Sequence, residues 1–256
     1  MDFNFKNPSH LFALLLISAS FAIIIILPIF SFFGVFPSTD SIELENLSES
    51  IRLMAEIITL VLQLALVLVL FILFPILWYL IVNKCTFKEL LLRVRLTLEN
   101  IDKAFLWGLL SAIIIFVLIF AIEIVFIAIG HNSQDLSNIP DIQKLFSWPV
   151  LFFLVAFQPI GEEFFFRGFL LEKIEKFGGS WLAIIITSIL FGIAHMSYGK
   201  IFPVLMPIIM GIVLGYIVIK TKNLYSSIIA HIIFNVTSLS LAYAGSELLK
   251  DVSLIL

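Results

Sequence analysis

The chain reads as an all-α protein: a polytopic transmembrane helix bundle of about seven spans, with an interfacial amphipathic helix between spans two and three. Three observations predict it. Of 256 residues, 61% are hydrophobic and 13% charged, against about 45–50% and about 25% in soluble domains. The mean hydropathy is +1.16. The apolar residues also fall into runs of about 20, the length a helix needs to cross a bilayer, separated by short polar segments.

The first run, Leu11–Phe33, is too long for a signal-peptide core and reads as a retained helix. Asn46 to Glu56 reads as a short outer helix leading into the second span, Ile57–Val82. Thr86 to Ile101 alternates cations with Leu90, Leu91, Val94 and Leu98 at helical spacing, the mark of an amphipathic helix under the bilayer. Phe105–Ile129 is the third span. Trp148–Phe169, Trp181–Met196, Ile201–Ile219 and Leu224–Tyr243 are the fourth to seventh. The segment from Gly245 to Leu256 is too short to cross again. The expected organisation is three N-terminal spans (1–140), a four-span core (141–245) and a short tail (246–256).

Lysines and arginines favour the cytoplasmic side of a membrane protein. With the N-terminus inside, that side holds Lys6, Lys84, Lys88, Arg93, Arg95, Lys103, Arg167, Lys173, Lys176, Lys220 and Lys222, eleven of fifteen cations. The expectation is an integral protein of the cell membrane with a cytoplasmic N-terminus. Its expected partner is the lipid bilayer. The net charge of −3 gives no basis for nucleic-acid binding. Cys85 is the single cysteine, so no disulfide framework and no thiolate metal cluster can form.

Ionisable groups are costly in hydrocarbon and mark function by default. The fourth span carries Glu162, Glu163 and Arg167 in QPIGEEFFFRGFLL. Glu163 and Arg167 are helical i,i+4 neighbours in the favourable order. Glu162 points ~100° away around the axis. Arg167 can therefore neutralise Glu163 and leave Glu162 for chemistry. A buried ion network without chemistry accounts equally well for the three residues alone. The fifth span carries Phe191 and His195 on one face, and the seventh carries His231 and Asn235 on one face. Each pair alone also fits a core contact or an interhelical hydrogen bond. Pro159 removes an amide hydrogen bond just before the glutamates and invites a kink.

Spacing links the motifs. Gly178-Gly179 is a turn signal, with Glu162 sixteen residues before it and His195 sixteen after it. A helical hairpin folded there sets both at one depth, ~24 Å from its tip. His231 lies nearer its own turn. The three meet if the hairpin projects beyond the membrane surface, and its charged end, Glu172 to Lys176, suits that.

The order Glu-Glu-x-x-x-Arg, Phe-x-x-x-His, His-x-x-x-Asn over about residues 145–240 resembles the CPBP intramembrane proteases. These comprise the CAAX prenyl endopeptidases and the bacteriocin-processing or self-immunity proteins, also called the Abi family. The resemblance implies an intramembrane glutamic endopeptidase that cleaves a membrane-associated peptide or protein. It implies that Glu162 and His195 activate a water, and that His231 and Asn235 stabilise the oxyanion. Glu163, Arg167 and Phe191 would support them. No metal and no cofactor are expected. A zinc ion on Glu162, His195 and His231 is a weaker alternative, because the His-x-x-x-His spacing of the common zinc helix is missing. A non-proteolytic membrane scaffold or self-immunity protein with the same fold is the rival from another class.

Overall fold

A computed structural model describes residues 3–35, 48–131, 146–198 and 200–255. Every element among them is helical. Helix α1 is Pro8–Phe32, α2 is Glu49–Ile81, α3 is Phe87–Arg93 and α4 is Ile101–Ala128. A long stretch, Trp148–Ile193, breaks at Gly179, whose φ of 77° and ψ of 175° are not helical. Residues 148–178 form α5 and 180–193 form α6. Helix α7 is Phe202–Thr221, and α8 is Tyr225–Ile255.

Six of these stretches are long and apolar enough to span a membrane, counting Trp148–Ile193 once. The expected fifth span, Trp181–Met196, is α6, a short leg rising ~21 Å from the break at Gly179. This is an integral membrane protein, and its exposed side chains on α2 and α4 are largely Leu, Ile, Val and Phe. Apolar side chains face outward there because lipid, not water, is the solvent.

Two expectations need revision. The outer helix begun at Asn46 is not separate: from Glu49 the chain runs straight into α2, and residues 46–47 lie outside the described residues. The amphipathic helix closes after seven residues. A capping box starts it, with Glu89 N donating to Thr86 Oγ1 at 3.3 Å and Thr86 N to Glu89 Oε2 at 2.7 Å. It stops because Arg95 turns left-handed (φ 60°) and the chain then stitches onto the α7–α8 turn. Leu224 N donates to Arg95 O (2.8 Å), and Asn223 Nδ2 donates to Thr97 O (2.9 Å). Leu90 and Val94 are fully buried, whereas Leu98 is 74% exposed. Helix α8 continues without a break through 246–255.

Three helix pairs position the interior. Helices α2 and α5 run parallel, their register drifting by one residue from each contact to the next. Gln63 meets Gln158, Phe71 meets Phe165 and Tyr79 meets Glu172. Each helix opens into a π-helical stretch along this seam, Val67–Leu73 and Phe164–Leu170. Such stretches are frequent at functional sites. Helices α6 and α7 run antiparallel through small residues. A Cβ on Gly192 would lie 2.7 Å from Val204 O, and one on Gly211 would lie 2.9 Å from Ser188 Cβ. Small residues let backbones approach closely where lipid supplies no hydrophobic drive. Helix α8 lies along α4, with Phe116 and Phe234 rings 4.8 Å apart.

Candidate active site

The hairpin forms about the paired glycines. Gly179 lies twelve residues from Arg167 and twelve from Phe191. The Arg167 guanidinium carbon sits 4.3 Å from the Phe191 ring centre, and the Phe166 and Phe191 rings are 5.1 Å apart. The two legs are therefore folded back on each other. At the tip, Glu172 receives Tyr79 Oη (3.2 Å), Lys173 Nζ (3.1 Å) and Lys176 Nζ. Arg95 pairs with Glu175, and Lys173 Nζ donates to Asn83 Oδ1 at 2.8 Å. These contacts clamp the charged end of the hairpin to the end of α2 and to the segment after α3.

Between these landmarks lies a wholly buried polar cluster. Arg167 Nη1 donates to Glu163 Oε1 at 2.8 Å, and both side chains are fully buried. His231 Nδ1 lies 2.9 Å from the same oxygen. A carboxylate accepts only, so the histidine carries its Nδ1 proton there. The other ring nitrogen, Nε2, faces Glu162 Oε2 at 3.7 Å. One imidazole thus stands between two adjacent carboxylates. Ser227, one turn earlier on α8, also faces Glu163. The sequence assigned Glu163 to Arg167 alone; the structure adds His231.

Glu162 is 5% exposed and keeps a different set of neighbours. Gln158 Nε2 donates to its Oε1 at 2.7 Å. Behind it, Gln63 Nε2 of α2 donates to Gln158 Oε1 at 3.2 Å. Sequence reasoning missed both glutamines. Gln158 had a local signal, a polar residue one helical turn before Glu162. Gln63 had none that ties it to α5.

His195 closes the end of α6. Its Nδ1–H donates to the Phe191 carbonyl at 2.7 Å. That bond makes Nε2 the basic nitrogen of the neutral ring. Glu162, His231 and Arg167 are all within electrostatic reach of this imidazole. The Phe191 ring stands edge-on to both histidines, at 4.8 Å from His195 and 5.7 Å from His231. Asn235 lies half-buried one turn beyond His231 on α8, with no side-chain hydrogen bond among the described residues. Gly211 of α7 makes room for the guanidinium: a Cβ there would lie 3.0 Å from Arg167 Nη2.

The structure thus gathers Glu162, Glu163, Arg167, Phe191, His195 and His231 into one cluster and sets Asn235 at its edge. Among the described residues, no three His, Cys, Asp or Glu side chains are grouped as a metal-ligand set. Such an arrangement offers a carboxylate and a basic imidazole within electrostatic reach of each other, an ion pair behind them, and a water-poor surrounding that strengthens electrostatics.

Residues 144–237 match the family model described as type II CAAX prenyl endopeptidase Rce1-like. The match contains every residue of this cluster. No curated protein and no solved structure matches the chain.

Proposed function

We propose that this chain, whose residues 144–237 match the type II CAAX prenyl endopeptidase Rce1-like family model, is an intramembrane protease of that kind and hydrolyses a peptide bond of a membrane-associated substrate with a water activated by Glu162 and His195. One observation carries the reading. Of two adjacent buried carboxylates, Glu163 is taken up by Arg167 and His231, while Glu162 has His231 Nε2 at 3.7 Å and the His195 imidazole within electrostatic reach.

The chemistry follows from this division. Water between Glu162 and His195 gives up a proton to one of them and attacks the scissile carbonyl carbon. The carbonyl oxygen becomes an oxyanion. Asn235 and His231 lie on one face of α8 and supply donors toward it. For His231 that donor is Nε2–H, which the ring carries as an imidazolium. In that form it also balances the charge of two carboxylates and one guanidinium. The tetrahedral adduct collapses as the held proton passes to the leaving amine. Arg167 pairs with Glu163, the second carboxylate, and helps to fix the helix register.

Purified protein in detergent or nanodiscs, with a fluorogenic peptide library, tests this reading. Wild type cleaves, Glu162→Gln does not, and a chelator leaves wild-type turnover unchanged. Loss of turnover to chelator, restored by zinc, would establish the zinc alternative instead. A folded wild type that cleaves nothing in cells or in vitro, with peptidomes equal in wild-type and Glu162→Ala cells, would favour the scaffold reading.

A further inference from the structure

We propose that Gln158 is a positioning residue for Glu162, and that Gln63 holds it in place from α2. The inference rests on the reading of Glu162 as the catalytic carboxylate. Two hydrogen bonds run in series from Gln63 Nε2 to Gln158 Oε1 (3.2 Å) and from Gln158 Nε2 to Glu162 Oε1 (2.7 Å). Their direction is dictated chemically. An ionised carboxylate only accepts, so Gln158 must present its amide N–H to Glu162. Its carbonyl is then turned outward, and only a donor can meet it. Gln63 is that donor. Chains of such bonds polarise one another and strengthen in low dielectric.

The backbone is built to allow it. Gly161 follows Gln158 by three residues, and Val67 follows Gln63 by four, one turn on each helix. A Cβ on Gly161 would lie 2.5 Å from Val67 Cγ1. No side chain but hydrogen fits, and the closeness brings Gln63 within reach of α5. Both glutamines are half-buried on spans whose other residues there are apolar. Polar amides in hydrocarbon persist where they are mutually satisfied.

The relay has a specific job. Glu162 has two oxygens, and His231 Nε2 lies 3.7 Å from Oε2. Gln158 claims Oε1. The carboxylate plane is thereby held between α2 and α8, with one oxygen anchored and the other toward the histidines. The charged and titratable groups around Glu162 are Glu163 and Arg167 on its own helix, His195 just past the end of α6 and His231 on α8. From α2 the contact is the neutral Gln63 through Gln158.

The test uses the full chain in nanodiscs with Gln158→Met, Gln63→Met and the double variant, all similar in volume to wild type. Gln158→Met is expected to lower kcat by ~10–100-fold, the worth of one hydrogen bond to a charged group, with KM unchanged. Gln63→Met lowers kcat less, and not at all when Gln158→Met is already present. A second readout needs no turnover. The Glu162 carboxyl infrared band, assigned by its loss in Glu162→Gln, shifts in Gln158→Met. An unmoved band, or variants that only melt earlier at full kcat, would overturn the relay. A moved band in a protein that cleaves nothing would keep the relay and sink the proteolytic reading.

Discussion

The guanidinium carbon of Arg167 lies 4.3 Å from the centre of the Phe191 ring. That contact joins the two legs of the hairpin across a buried charge. The same ring touches both histidines edge-on, so one aromatic side chain braces the ion pair and both imidazoles. A desolvated cation over an aromatic face is worth about 2 kcal/mol. Phe191→Leu should therefore destabilise the protein by about that amount or more and lower turnover with it. Thermal melting and peptide cleavage on the same preparation check both effects; a stable Phe191→Leu protein with full turnover would contradict the bracing role.

Glu162 and Glu163 should separate in their effects. Glu162→Gln abolishes cleavage in a protein that melts near wild type. Glu163→Gln and Arg167→Ala each leave a buried charge without its partner, at ~3–5 kcal/mol, and so lower the melting temperature first. If Glu163→Gln lost activity at full stability while Glu162→Gln kept it, the two roles would be exchanged.

Asn235 acts, on the proposed mechanism, only once the oxyanion develops. Interactions of that kind change kcat and leave ground-state binding alone. Asn235→Ala should cut kcat by ~10²-fold or more with KM nearly constant and stability unchanged. His231→Ala should lose turnover and stability together, because its Nδ1–H also holds Glu163. Steady-state kinetics with a melting curve for each variant distinguishes them, and an Asn235→Ala enzyme with unchanged kcat would remove Asn235 from the mechanism.

Gly192→Ala should loosen the site from a distance. Its Cβ would fall 2.7 Å from the Val204 carbonyl and 2.3 Å from Ile208 Cγ1. A backbone atom cannot rotate aside, so α6 must move from α7 and carry His195 with it. Overpacking of this kind typically costs ~1–3 kcal/mol. Differential scanning fluorimetry should show the loss, and turnover should fall further than the melting shift alone explains.

Much of this arrangement was legible because local rules carried it. The paired glycines mark the turn, which folds Arg167 and Phe191, twelve residues to either side of Gly179, onto each other. The i,i+4 pairing of Glu163 with Arg167 follows from helix geometry alone. What escaped was non-local. Gln63 lies 95 residues from Gln158, and nothing near it in the sequence announces a partner. The sharing of Glu163 between Arg167 and His231 depends on how α8 is rotated against α5, which periodicity does not determine when a helix is apolar nearly all round. The early end of α3 was also hidden. Its apolar spacing continues past Arg93, but the left-handed turn at Arg95 and the stitching to Asn223 and Leu224 win over helix continuation.

The break at Gly179 constrains how the molecule can vary over descent. One residue added to a single leg must be absorbed at the turn, where a φ of 77° favours glycine. Otherwise it passes up the leg as a 1.5 Å slip and ~100° rotation, enough to carry His195 away from Glu162. Two whole turns added to both legs would lengthen the arm and leave the carboxylate and the imidazole opposed. Related chains should therefore show hairpins whose two legs grow or shrink together, with the tip free to change its charges and the interval between Arg167 and Phe191 stepping only in matched halves.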